Sequence, residues 1–332
     1  MADIFFLIGY ARSLISSEYY LKFNKYLKLC RKKYKLTQEE FVQELYNYDE
    51  NFIGVDTRTI SRWEAAQTKP SIGRQITIVK YFSTCSGHIL SCFHTDNKKN
   101  IESKICKLGI KNLIGSSKEH ILNFPTRSFK VEDIVIKHIR SSKSIDEVLQ
   151  MPYTVIKNLT DNVYNLSFEN IKEWALHPSN LFLLSEYKNE FAGILFTLRL
   201  KPNIFQKIIN FEIELKDITL VDFASYNEIG CNFPMAFFAY NDKSSTLLIL
   251  RYYAHIIANQ DVIKDIGTTP LLDGAKKIVQ KMNMKKYKEK IVLQGTLTSY
   301  SAPLSDVLIN QAVMKMIFQK QDCPEDSNTN PR

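Results

Sequence analysis

Long apolar runs are missing from this chain. The one near its start, residues 4–8, falls far short of the roughly 20 apolar residues that a membrane-spanning helix requires, and Asp3 stands where a basic leader would open. A secreted or membrane protein is therefore not expected, and a cytoplasmic one is. Cysteine is sparse too. Cys30, Cys85, Cys92, Cys106, Cys231 and Cys323 lack the spacing of a disulfide framework, so reduced thiols that serve mostly as small core residues are expected. Cys85, His88, Cys92 and His94 crowd four candidate zinc ligands together. Structural zinc sites separate two ligand pairs by a loop of about a dozen residues, so no metal is expected. No internal repeat, hydrolase triad, phosphate-binding glycine loop or carboxylate pair stands out.

What the chain does contain is enough apolar material for two globular domains: 45% of its 332 residues are hydrophobic and 24% charged. Its net charge of +9 is unevenly placed. Residues 1–120 hold 19 Lys and Arg against 12 Asp and Glu, whereas the remainder holds 25 against 23. A basic excess confined to one region is the electrostatic footprint of a polyanion binder.

In that region Phe23, Tyr26, Leu27, Cys30 and Tyr34 follow helical spacing, with lysines and arginines on the other faces. Thr37 and Glu40 form a capping box that opens a second helix burying Phe41, Val42 and Leu45. Gly54 supplies a left-handed turn and Asp56 caps a third helix, residues 57–66, with Ile60 and Trp63 inward and Thr57, Arg58, Ser61 and Arg62 outward. Pro70 and Ser71 start a fourth helix carrying Ile72, Ile76, Val79 and Phe82.

Three blocks, residues 36–41, 54–64 and 69–71, together resemble the phage-repressor-like (XRE) helix-turn-helix family over about sixty residues. The resemblance implies a recognition helix in the major groove of double-stranded DNA, with Thr57, Arg58, Ser61 and Arg62 at base edges and Thr37, Gln38, Thr59 and Lys69 on the backbone. It also implies a homodimer on a two-fold site. Residues 46–53 are an insertion relative to the family pattern and lengthen either the second helix or the turn.

Residues 94–144 are polar and intermittently periodic and read as a connection. Beyond them, residues 181–187, 191–200, 211–223 and 247–255 look like strands flanked by amphipathic helices, a helix runs over 271–282, and 321–332 is a polar tail. The lysine-rich stretch 285–288 reads as a solvated helix end, and His177 before Pro178 as a turn. The hairpin-like residues 186–195 and the stretch 264–272 resemble the GNAT acetyltransferase fold. There a strand leads into a glycine loop that opens a helix and binds the coenzyme A pyrophosphate. That resemblance implies a pyrophosphate loop at Lys264, Gly267, Thr268 and Thr269, with residues 247–255 as its strand.

The expected architecture is thus multidomain: an all-α helix-turn-helix domain (1–93), a connection (94–144), an α+β domain (145–320) and the tail. The expected function is a bacterial or phage-derived DNA-binding transcription regulator, repressor-like, with a small-molecule or protein effector on its second domain, no catalytic residue and no resident cofactor. A GNAT-like acyltransferase using a coenzyme A derivative, and an antitoxin-like or adaptor protein, are the alternatives.

Overall fold

The computed structural model describes residues 22–90, 93, 97–109, 133–142, 144–160, 163–271, 273–292 and 295–318. The expected tail, together with Cys92 and His94, lies outside them. The chain divides into two compact units, Met1–Thr95 with Gln311–Arg332, and Asp96–Asn310.

The first unit is helical: α1 (Phe23–Lys33), α2 (Gln38–Tyr48), α3 (Thr57–Glu64) and α4 (Ile72–Ser86). Each boundary has a local cause. The Thr37–Glu40 capping box opens α2, Asp56 caps α3 through the Thr59 N–H, and Ser71 caps α4 through the Arg74 N–H. Gly54, at φ 82°, makes the left-handed turn before α3. The inserted residues lengthen both parts in question: α2 continues to Tyr48, and a 3₁₀ turn at Glu50–Phe52 buries Phe52. The core is aromatic, with Phe41 stacked on Phe82 at 5.4 Å between ring centres. The C-terminal helix Gln311–Ile317 belongs to this unit, and Phe318 beyond it packs edge-on to Phe23 at 5.2 Å.

The second unit is α+β, built on a seven-stranded mixed sheet of order β1-β2-β3-β4-β5-β7-β6. The strands are β1 (Ile134–His138), β2 (Leu181–Tyr187), β3 (Glu190–Leu200), β4 (Gly230–Ala239), β5 (Ile263–Thr268), β6 (Lys285–Val292) and β7 (Gly295–Pro303). All neighbours are antiparallel except β4 and β5. A two-residue turn with Lys188 and Asn189 both at positive φ joins β2 to β3, the geometry whose twist suits a tight hairpin. β3 is buried along nearly its whole length. Ile194, Phe196, Leu198 and Leu200 join the core formed with α6 (Ile145–Leu159), α7 (Phe168–Leu176) and α8 (Pro202–Ile209). Two further helices are α5 (Lys98–Gly109) and α9 (Asp242–Ala258).

Several expectations fail here for identifiable reasons. Residues 94–144 are not merely a connection, since α5 and β1 lie within that stretch. Residues 247–255 are not a strand but part of α9, capped by Asn241, which buries residues from Leu247 to Ala258 on most of its faces. An all-round apolar helix has no 3.6-residue stripe to reveal it, and the parallel step from β4 to β5 requires a crossover. Residues 211–223 form two 3₁₀ turns, at Leu215–Asp217 and Leu220–Asp222. Asp217 accepts from the Glu214 N–H and Asp222 from the Thr219 N–H. Residues 285–288 begin the exposed strand β6 rather than ending a helix; the expected helix is α10 (Asp273–Lys281). Among the described residues no helix is long and apolar enough to cross a membrane.

Candidate functional site

β4 and β5 pair only through Gly230 with Ile263 and Asn232 with Ile266, and then part. The cause is local. Pro234 has no N–H to continue a ladder. The β3 register passes over Met235, since Thr197 opposes Pro234 and Phe196 opposes Ala236. A bulge of this kind bends and twists its strand, and it is one of the few places inside a sheet where proline is tolerated. At the end of β5 the Thr268 hydroxyl donates to the Pro234 carbonyl at 2.6 Å, a side-chain rung replacing a backbone one.

An apolar cleft opens between the parted strands. Met235 lines it from β4, Ile249 and Tyr252 from α9, and Ala275 and Ile278 from α10. Its empty space, open solvent at the mouth included, is about 880 Å³. The Tyr252 hydroxyl is buried, with the Asn232 side chain beside it. A second cleft of about 520 Å³ adjoins it and carries charge, from Glu214 and Lys290. Tyr164 and Thr269 line both clefts.

Tyr164 lies in the loop between α6 and α7. Its hydroxyl is 2.8 Å from the Thr269 carbonyl oxygen, to which it donates, and 2.8 Å from Thr269 Oγ1. Burial pushes the phenol up to about 12 against the opposing hydrogen bond from Thr269, so it is protonated at neutral pH. The Glu214 carboxylate is half-exposed and paired with Lys216 Nζ at 2.7 Å.

The pyrophosphate loop expected at Lys264, Gly267, Thr268 and Thr269 is corrected. Lys264, Gly267 and Thr268 belong to strand β5, with Lys264 exposed, and no helix opens among them. Gly267 is small for packing: an added Cβ would come within 2.7 Å of the Phe205 ring and 3.0 Å of the Tyr300 carbonyl oxygen. The helix that follows a strand at the parting is α9. Only Tyr240 and Asn241 separate it from β4, and neither is glycine. Asn241 Oδ1 accepts from the Ser244 N–H at 2.8 Å, so the helix is capped by its own chain.

In the first unit Thr57, Arg58, Ser61, Arg62 and Lys69 are all exposed. Three of the four residues expected on a DNA backbone, Thr37, Gln38 and Thr59, also make hydrogen bonds within the unit. Thr37 accepts from the Glu40 N–H, Gln38 Nε2 donates to Glu64 Oε2 at 2.9 Å, and the Thr59 hydroxyl donates to Asp56 at 2.6 Å. Arg31 donates to both Glu64 oxygens, at 2.6 and 3.0 Å. Burial works to raise the Glu64 carboxyl, but hydrogen bonds from Arg31 and Gln38 outweigh it and hold the group below the usual carboxylate range.

Tyr164, Tyr252 and Glu214 were not singled out from the sequence, and Thr269 was assigned another role. The available signal was Pro234 inside an aromatic, strand-like run, a position that demands a bulge.

No protein-family model matches the chain, and no curated protein matches it. Over about half its length the chain is similar to solved acetyltransferases. An N-acetyltransferase from Staphylococcus aureus Mu50 shares 12% identity over 52% of this chain and 98% of its own, with a TM-score of 0.35. A GNAT-family acetyltransferase from the same source shares 15% over 52% and 99%, with a TM-score of 0.33. A mosquito arylalkylamine N-acetyltransferase like 5b shares 10% over 51% and 99%, with a TM-score of 0.35. The expectation of an XRE-family repressor that binds DNA and regulates transcription is corrected: no family model of that kind matches the chain, and the named similar structures, over about half of it, are acetyltransferases.

Proposed function

We propose that Asp96–Asn310 is an acyltransferase-type domain that moves an acyl group from a thioester in the apolar cleft to an amine in the charged one. The observation that carries this reading is that the two clefts meet at Tyr164 and Thr269. Transfer between two substrates needs the reacting atoms about 3–3.5 Å apart, so the two pockets have to adjoin, as these do at Tyr164 and Thr269.

In this reading the Glu214 carboxylate attracts an ammonium acceptor, which gives up one proton to solvent to become the free amine, and Glu214 takes the second proton that the nitrogen loses as it attacks. The nitrogen attacks the thioester carbonyl carbon, the C–N bond forms, the C–S bond breaks and the sulfur leaves as thiolate. The phenol of Tyr164, protonated at neutral pH, turns its one proton from the Thr269 carbonyl to that sulfur, while the Thr269 hydroxyl, 2.8 Å away, donates to the phenol oxygen and keeps it in place.

Tyr164→Phe should lower thiol release from acetyl-pantetheine in the presence of lysine methyl ester by about 100-fold, with donor affinity unchanged. Undiminished release would remove Tyr164 from the chemistry. Failure of the unaltered protein to bind or cleave the thioester would sink the acyltransfer reading itself.

A further inference from the structure

The nucleotide end of coenzyme A does not fit this chain as it stands. A diphosphate carries two negative charges and is held in proteins by backbone N–H groups at a helix N-terminus, by glycine turns that let the backbone approach closely, or by basic side chains. At the carboxyl end of the parted β4–β5 pair, α9 is the helix placed for that task, and three features oppose it. The β4–α9 turn is two residues long and has no glycine. The Ser244 N–H is taken by Asn241 Oδ1 at 2.8 Å, and Asn241 Nδ2 donates to Ser244 Oγ at 3.2 Å, which ties the cap down on both sides. Asp242 places a carboxylate in the first turn, which offsets the charge of the adjoining Lys243, so the turn offers an incoming diphosphate no net positive charge from its side chains.

The cleft itself points the same way. Among the described residues, none of those lining it is charged, and its polar groups are the hydroxyls of Thr160, Tyr164, Tyr252, Thr268 and Thr269. A buried ionic group would stay uncompensated there, whereas an uncharged arm is tolerated; the hydroxyls of Thr160, Tyr164 and Thr268 already donate to the Ile156, Thr269 and Pro234 carbonyls and leave their acceptor lone pairs for amide N–H groups of the arm.

We propose that the donor is recognised as a thioester on an uncharged, pantetheine-like arm and that a nucleotide diphosphate adds nothing to its binding. This rests on the acyltransfer reading and narrows its substrate class.

Calorimetric titration of the full chain with acetyl-pantetheine and with acetyl-coenzyme A tests it. The expected result is dissociation constants within about threefold of each other. A preference of about tenfold or more for acetyl-coenzyme A, equivalent to about 1.4 kcal/mol, would overturn the proposal and leave acyltransfer standing. Binding of neither compound would overturn both. A double variant, Asn241→Gly with Asp242→Gly, frees the helix N-terminus. It should strengthen acetyl-coenzyme A binding several-fold and leave acetyl-pantetheine unchanged. A folded double variant with no gain for acetyl-coenzyme A would show that this terminus is not what excludes the diphosphate.

Discussion

Glu64 illustrates how much one side chain organises. It is 4% exposed at the side chain and accepts two hydrogen bonds from Arg31 and one from Gln38, which ties α1, α2 and α3 together. Glu64→Ala strands the buried Arg31 guanidinium and should cost about 3–5 kcal/mol in urea unfolding, whereas Arg31→Met with Glu64→Leu should cost far less, because no charge is left unpaired. Equal losses would mean that packing, not charge, sets the cost. The sequence placed Glu64 beside Trp63 on α3 but did not reveal this pair. Arg31 and Glu64 are 33 residues apart, and only the folded helices bring them together. Legibility at this scale follows range: caps at Thr37, Asp56 and Ser71 act over three residues and could be read directly.

At the scale of elements, the parting of β4 and β5 makes the site. Pro234 and the bulge at Met235 end the ladder, and Thr268 spans the gap. Thr268→Val keeps the shape and removes the donor, leaving the Pro234 carbonyl unsatisfied. It should lower stability by about 1–3 kcal/mol and loosen thioester binding, measured by thermal unfolding and by titration with acetyl-pantetheine. Unchanged values in both would show that the rung does not hold the parted strands. The hairpin β2–β3 was legible because the turn Lys188-Asn189 and its flanking strands are contiguous in the chain. α9 was not, because burial on most of its faces erases the periodicity that marks a helix.

At the scale of the whole molecule, His138 should make stability fall in acid. Burial holds its imidazole down to about 4, reinforced by the charges of Arg140, Arg251 and His255 and opposed only by Glu102. An unfolded histidine titrates near 6.5, so between about pH 6.5 and 4 the unfolded chain takes up a proton that the folded one refuses. Stability contributed by the neutral His138 is therefore complete above about pH 6.5 and falls as the pH drops toward 4. His138→Gln should flatten that part of the curve of unfolding midpoint against pH; an unaltered slope would assign the sensitivity elsewhere.

What the sequence determined by itself was local: helix caps, the left-handed turn at Gly54, the outward set Thr57, Arg58, Ser61 and Arg62, and strands β2 and β3. These depend on neighbours within a few positions, which the chain order displays. The tertiary structure alone decided that Tyr164 meets Thr269 across 105 residues, that the Gly267 backbone lies against Phe205 and that β4 leaves β5 after Asn232. Such relations arise from which strands become neighbours in the sheet. No local pattern encodes that choice, because it is settled by the burial of all seven strands and their helices together.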